Sequence, residues 1–519
     1  MMAAYRLSEL PNDLLRRVLH FAPLKEAAST TALSRRWRAA LYLSSGAVNI
    51  ETGVEKRYYS SLPDDSARFF AYRDAFDSAA LGALDAATVP VTRLTLRLES
   101  DLHIPAADYM TRWRDDKDHV VVSRYTGLVD AVLSRRAARR VEELRLDAKK
   151  RDDYYYANWV GFYTVRLNSL PSETLRVLEL NNCRGLLYQS QAPAVVLPRL
   201  SSLRLTYSVQ HLSSLQNVID AAPALGVVRL EHIQIDATDE AAKKGTTRRL
   251  RCPAATMLVL DSCLWVEEKQ TRSSYSYETT VDVDGVEIDA TRLRHFRYNG
   301  PVRNFSFSPL PSELENVDVD FFKHGYKGNS KDPNHFLENF WRFAWSFSNT
   351  KEMRLSVDHL EDIAILSEVR RVELLPSFHR LHRLEVQGVH WMKVKISTVM
   401  AVLNLLLCCP VLSALRINLT AKHEYASNKE GAHTRIPQEE IQIAAMLGPR
   451  HFYRCLQSSL TRVGLQFQLE KSDCLGVKLI KFFAENAMVL KEMCIDGGDK
   501  NLCREMSPRQ KNGTQEGGS

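Results

Sequence analysis

A leucine ladder with rungs of unequal spacing constrains this chain more than any other feature. The pattern L-x-x-L-x-L recurs as Leu175-Leu178-Leu180, Leu200-Leu203-Leu205, Leu225-Val228-Leu230, Leu381-Leu384-Val386 and Leu412-Leu415-Ile417. Looser copies start at Val91, Val141, Ala255, Leu293, Leu314, Thr350, Leu460 and Leu490, giving thirteen in all. Within a copy the spacing is constant, whereas the starts lie from 21 residues apart (Leu293 to Leu314) to 50 (Val91 to Val141). One supersecondary unit stacked with insertions of variable length gives such a pattern. The expected fold class is α/β, a solenoid of parallel strands and helices. The expected activity is binding along its surface.

In each unit the last two anchors flank one residue, usually polar, as in Leu203-Arg204-Leu205 and Leu415-Arg416-Ile417. That period of two predicts a short strand with one buried face. Pro198, Pro223 and Pro410 each sit two residues before a first anchor. There proline ends the preceding element and forces an extended entry. Leu212-Leu215-Val218-Ile219 and Val399-Val402-Leu403-Leu406-Leu407 have helical spacing, so each repeat is expected to alternate strand and helix. The unit resembles a leucine-rich repeat, which implies an irregular horseshoe.

The chain has 519 residues, 45% hydrophobic and 25% charged, the balance of a soluble globular protein. Its longest apolar run, Val399 to Cys409, is broken by Asn404 and falls short of the roughly 20 residues a membrane span needs. No charged-then-apolar leader opens the sequence, so secretion is not expected. Nine scattered cysteines read as reduced core residues of an intracellular protein, in nucleus or cytoplasm. A net charge of +7 without a concentrated basic face predicts no nucleic-acid partner. Polar insertions at 236–249, 266–289, 322–333 and 421–438 are expected as surface loops.

The first fifty residues differ from the ladder. Leu10, Leu14 and Val18 lie on one helical face with Leu15 and Leu19 beside them, and Pro11 suits the first turn. A second short helix is expected over 25–33 and a third over 35–41, with Ser34 as its N-cap. Three such helices make a marginal core that needs a partner surface or neighbouring repeats.

The segments Leu10-Pro11-Asn12-Asp13-Leu14-Leu15-Arg16-Arg17-Val18-Leu19 and Leu33-Ser34-Arg35-Arg36-Trp37 resemble the opening and close of an F-box. Cys455 to Val463 and Asn486 to Ile495 resemble the FBD module that follows leucine-rich repeats in plant F-box proteins. The resulting division is an F-box at 1–50, a linker and first helix at 51–90, the repeats at 91–440, an FBD-like segment at 441–498 and a disordered tail at 499–519. The resemblance implies a non-catalytic substrate-recognition subunit of an SCF ubiquitin ligase. The F-box would hold a Skp-type adaptor, and through it a cullin, by Leu10, Pro11, Leu14, Leu15, Val18, Leu19, Leu33 and Trp37. A repeat scaffold working outside a ligase, or a co-receptor that needs a small molecule, are the alternatives.

No phosphate-binding glycine loop, H-E-x-x-H or C-x-x-C is present, and neither catalytic residues, a bound metal nor a membrane partner is expected. Between the last two anchors of successive rungs stand Thr95, Arg145, Glu179, Arg204, Arg229, Val259, Arg297, Asp318, Arg354, Glu385, Arg416, Gly464 and Cys494. This column should project from the inner strand face. Its six arginines, Arg145, Arg204, Arg229, Arg297, Arg354 and Arg416, are the candidate substrate-binding residues for an acidic or phosphorylated protein. No cofactor is expected, an inositol phosphate or other small ligand being the alternative. The competing expectation is a solvated face whose arginines pair with Glu179 or Glu231.

Overall fold

A computed structural model describes residues 10–33, 35–38, 41–51, 63–99, 129–149, 164–183, 185–187, 195–237, 248–269, 279–282, 285–303, 305–322, 333–391, 395–422, 442–443, 446, 453–467, 475–496 and 503–505. The chain forms two compact units, 1–283 and 284–519.

The first unit opens with helices α1 (Asn12–Leu19), α2 (Leu24–Ser29) and α3 (Arg35–Arg38). Strand β1 (Ala47–Glu51) and the long helix α4 (Pro63–Ala86) follow. Six ladder strands come next: β2 (Arg93–Glu99), β3 (Glu143–Lys149), β4 (Val177–Asn181), β5 (Ser202–Thr206), β6 (Val227–Glu231) and β7 (Met257–Asp261). Each pairs in parallel with the one before it, β1 included. The anchors are buried throughout: Leu178, Leu180, Leu203, Leu205, Val228 and Leu230 are at most 1% exposed. Burying a leucine side chain contributes about 1.5–3 kcal/mol, so the ladder is a stack of such contributions. Helix α5 (Leu212–Asp220) turns Leu215, Val218 and Ile219 inward, as its spacing predicts.

The second unit repeats the plan with β8 (His295–Gly300), β9 (Asn316–Phe321), β10 (Glu352–Val357), β11 (Arg383–Trp391), β12 (Ala414–Lys422), β13 (Arg462–Gln466) and β14 (Glu492–Asp496). All seven are parallel and in sequence order. Helices α6 (Pro333–Trp345), α7 (Ile396–Cys408), α8 (Arg454–Ser458) and α9 (Leu475–Asn486) lie between ladder strands, as do a short helix at Glu368–Leu374 and a short strand at Phe305–Phe307. Asn404, which interrupts the apolar run from Val399 to Cys409, is buried and donates Nδ2 to the Ile365 carbonyl at 3.2 Å. That bond offsets the cost of taking an amide out of water. The FBD-like stretches form α8–β13 and α9–β14, which continue the ladder.

Several expectations need correction. Residues 47–50, assigned to the F-box, belong to a strand that joins the ladder: Ala47 faces Arg93 and Glu51 faces Arg97. Not every repeat returns through a helix. After β6 and β7 the chain runs into short strands, Gln234–Asp236 and Leu264–Lys269, where Ile233-Gln234-Ile235 alternates instead of following a helical period. The insertion at 266–289 carries an antiparallel pairing of Leu264–Lys269 with Thr279–Asp282, which its alternating threonines and valine suit better than a loop. Cys503–Glu505 of the tail pairs antiparallel with β14. Backbone hydrogen bonding, which composition does not report, keeps it ordered. The Ser34 cap lies outside the described residues.

The core of the second unit is aromatic. Phe343 of α6 meets Tyr298, Phe305, Phe321 and Phe347 at ring centroid distances of 5.5, 5.4, 5.6 and 4.9 Å. An apolar void of about 20 Å³ beside it, lined in part by Phe340, Met353 and Leu405, holds no more than a water-sized guest. Phe343→Ala should cost about 3–5 kcal/mol, read as a lowered midpoint of urea unfolding followed by tryptophan fluorescence.

Candidate functional site

The N-terminal helices present one candidate surface, and the outward strand face, found in each unit, presents another. In the N-terminal helices, Leu15, Leu19, Ala27 and Trp37 form a closed core against which Leu10 and Ala22 pack. Leu15, Leu19 and Trp37, which the sequence offers as adaptor contacts, are buried within this core. Helical periodicity reveals which residues share a side, not which of two adjacent apolar stripes faces inward. The other stripe is open: Leu14 is 46%, Val18 49% and Phe21 62% exposed, with Leu33 at 68%. Leu14, Val18 and Phe21 recur at intervals of four and three, one continuous face of α1 and its exit turn. Phe21 lies just before Ala22-Pro23, a sequence context that marks the end of the helix. Pro11 is exposed at the N-cap position of α1.

The helices are tied to the ladder by polar bonds. Asn49 of β1 donates Nδ2 to the carbonyls of His20 (2.8 Å) and Ala22 (3.2 Å), satisfying the end of α1. Arg16 donates Nε to Ser44 Oγ at 3.2 Å, and His20 Nδ1 meets the Ser45 carbonyl at 3.0 Å. The Arg93 guanidinium of β2 lies over the Phe21 ring, 4.8 Å from its centroid. Burial first, and then the neighbouring charge of Arg145, hold Arg93 below the ordinary guanidinium range. The helical module and the first ladder strands thus share one bonded frame.

The second surface is the strand face carrying the arginine column, and the register aligns it residue for residue. Thr95 faces Arg145, Arg145 faces Glu179, Glu179 faces Arg204, Arg204 faces Arg229, and Arg229 faces Val259. In the second unit Arg297, Asp318, Arg354, Glu385, Arg416, Gly464 and Cys494 align likewise. Most of the arginines have carboxylates. Arg145 is 3.4 Å from Glu179 and 3.6 Å from Glu143. Arg204 reaches Glu231 Oε2 with Nε at 3.1 Å and Nη2 at 2.5 Å. Arg297 pairs with Asp318 at 3.7 Å and Arg354 with Glu385 at 4.0 Å. Arg416 donates Nε to the Asn418 amide oxygen at 3.4 Å. Arg229 differs from all of them: among the described residues its one side-chain partner is the Met257 sulfur, at 3.7 Å from Nη2.

A further feature had no clear sequence signal. At the ends of four successive ladder strands, Asn182, Tyr207, His232 and Ser262 take positive φ, between 49° and 54°. The N–H groups of Asn182, Tyr207 and His232 donate to the carbonyls of Thr206, Glu231 and Asp261 on the next rung, at 2.8, 3.1 and 2.7 Å. Position rather than residue type marks the site: it always falls two residues after the last anchor. Tyr207 and His232 are exposed and stack on each other, with ring centroids 4.8 Å apart and planes 5° from parallel.

Catalytic geometry was not expected. Among the described residues no group of three or more His, Cys, Asp or Glu side chains could hold a metal, and no helix is long and apolar enough to cross a membrane. Cys183, Cys252, Cys263, Cys408, Cys409 and Cys455 are buried, and Cys494 is exposed. Burial pushes the Cys455 thiol up to about 11, and those of Cys183, Cys408 and Cys409 higher still.

Residues 7–43 match the F-box domain, so the chain carries an F-box at its N-terminus. Over most of its length it is similar to F-box/FBD/LRR-repeat proteins of Arabidopsis thaliana. One is 24% identical over 504 residues, covering 95% of this chain and 92% of the relative. Another is 22% identical over 522 residues, covering 97% and 94%. An FBD-associated F-box protein of the same plant is 23% identical over 504 residues, covering 94% and 89%.

The raised thiols yield a direct check. At pH 8 the folded protein should take up iodoacetamide at Cys494, while Cys183, Cys408, Cys409 and Cys455 stay unlabelled until denaturant is added, as read site by site by peptide mass spectrometry.

Proposed function

We propose that this protein is the substrate-recognition subunit of an SCF-type ubiquitin ligase. The F-box holds a Skp-type adaptor, the adaptor connects to a cullin, and the ladder's strand face holds the protein to be modified. The repeats then form the irregular leucine-rich-repeat horseshoe that the spacing predicts. In this reading ubiquitin transfer takes place on other subunits, and the chain contributes positioning without a catalytic residue of its own. The protein works inside the cell, in nucleus or cytoplasm, without a cofactor.

The observation that carries the reading is the open stripe of Leu14, Val18 and Phe21 over a core already closed by Leu15, Leu19, Ala27 and Trp37. A module so small does not leave that much apolar surface in water without a partner to cover it. The bonds from Asn49 to the end of α1 add a second support. A receptor has to hold adaptor and target at a set distance, and a bonded frame does so better than a free linker.

Leu14→Asp together with Val18→Asp should abolish capture of a plant Skp-type adaptor in a pull-down, a loss on the order of a hundredfold, because two carboxylates would be desolvated in the contact. Both positions are exposed, so the circular dichroism spectrum should not change. Undiminished capture by the double variant would overturn the reading. Leu15→Asp is expected instead to unfold the three helices.

A further inference from the structure

Among the described residues, the column arginine without an oxygen partner and the exposed aromatic stack of the ladder lie on the same two rungs. Arg229 stands on β6; His232 closes that strand, and Tyr207 closes the neighbouring β5. Strand neighbours are about 4.8 Å apart and each residue advances about 3.3 Å, so guanidinium and rings lie within reach of about three residues of extended peptide.

Neither element is required by the fold. The turn at these strand ends needs a positive φ, which asparagine and glycine adopt at lower cost than tyrosine. The preceding rung has Asn182 there. The turn's hydrogen bonds are made by the backbone, and the rings of Tyr207 and His232 contribute nothing to the core. Exposed aromatics of this kind concentrate in protein interfaces. The electrostatic setting is equally specific. Arg204 and Arg229 face each other across the ladder, an unfavourable like-charge pair. Glu231 neutralises Arg204 with two bonds and, among the described residues, leaves Arg229 with only a thioether. A carboxylate supplied from outside would complete at Arg229 the alternation of charge that neighbouring rungs already show. The floor beside it is apolar: Val259, the column residue of the next rung, is nearly buried and carries no competing charge.

We propose that Arg229 and the Tyr207–His232 stack form a docking site for an acidic linear segment of a partner protein. A glutamate or aspartate carboxylate of the segment accepts from the Arg229 guanidinium, and an apolar or aromatic side chain about three positions away lies against the rings. This assignment rests on the reading of the chain as a substrate receptor and names the class of segment that the receptor takes.

The test is fluorescence anisotropy on the full chain with a fluorescein-labelled glycine–serine peptide carrying glutamate and phenylalanine about three positions apart. Saturable binding should weaken by about tenfold or more in Arg229→Gln and in Tyr207→Asn, and when the peptide's glutamate becomes glutamine or its phenylalanine alanine. Tyr207→Asn removes the ring but keeps a residue suited to positive φ, so its loss of binding is not a loss of fold. Arg294→Gln, an exposed arginine of the second unit that lies outside the column and pairs with Glu313 at 3.2 Å, should bind as the parent chain does. Equal binding by Arg229→Gln, equal binding of the glutamine peptide, or no binding of either would overturn the proposal. So would binding only after phosphoserine replaces glutamate, which would make this a phosphate site. Adaptor capture, measured on the same preparations, separates the two readings. Capture without peptide binding rejects the docking site alone; peptide binding without capture supports the site and rejects the ligase assignment.

Discussion

In-register parallel pairing of the ladder strands is the constraint on which the rest of this structure depends. A slip of one residue would turn every anchor outward and every column residue inward. Triplets such as Leu175-Leu178-Leu180 beside Leu200-Leu203-Leu205 make that slip prohibitive, because each displaced leucine forfeits about 1.5–3 kcal/mol of burial. The register therefore fixes the opposite face as well. Residues dozens of positions apart in the chain, such as Arg145 and Glu179, become neighbours at ion-pair distance with no local signal requiring it.

The same pairing explains how the F-box is attached. Strand β1 is short, and its outward residue Asn49 has no charge to contribute to the column. Its register opposite Thr95 instead brings the amide to the two carbonyls that end α1 and its exit turn. With Val48 and Ile50 buried on the other face of the strand, five residues join a helical module to a sheet. Burial supplies the strength and the two amide bonds set the orientation.

Much of the ladder was legible in the sequence, because anchor spacing and strand period are both local. The pairing of the column followed from them once the strands were parallel and consecutive. What was not legible depends on competition between surfaces or on backbone geometry. Leu14 and Leu15 are chemically equivalent, and only the packing of Ala27 and Trp37 decides that Leu15 goes inside. The ordering of Cys503–Glu505 comes from an open strand edge on β14, not from its own composition. The positive-φ positions escaped notice because their occupants, Asn, Tyr, His and Ser, share no chemistry. They share only the turn they impose on the chain, and Asn182, Tyr207 and His232 also bond to the next rung.

The buried and outward faces of the ladder consequently make different demands on their residues. The anchors carry the stability, and truncating one leaves a cavity in a packed interior. The column pairs are half-exposed and separately weak, about 0–1 kcal/mol each, so their identities can change with little effect on the fold. Where one arginine goes uncompensated beside two exposed rings, the fold tolerates the arrangement without needing it. A scaffold whose register is held entirely by its buried face can vary its outward face rung by rung. Each change alters the outward face without moving the anchors that hold the register.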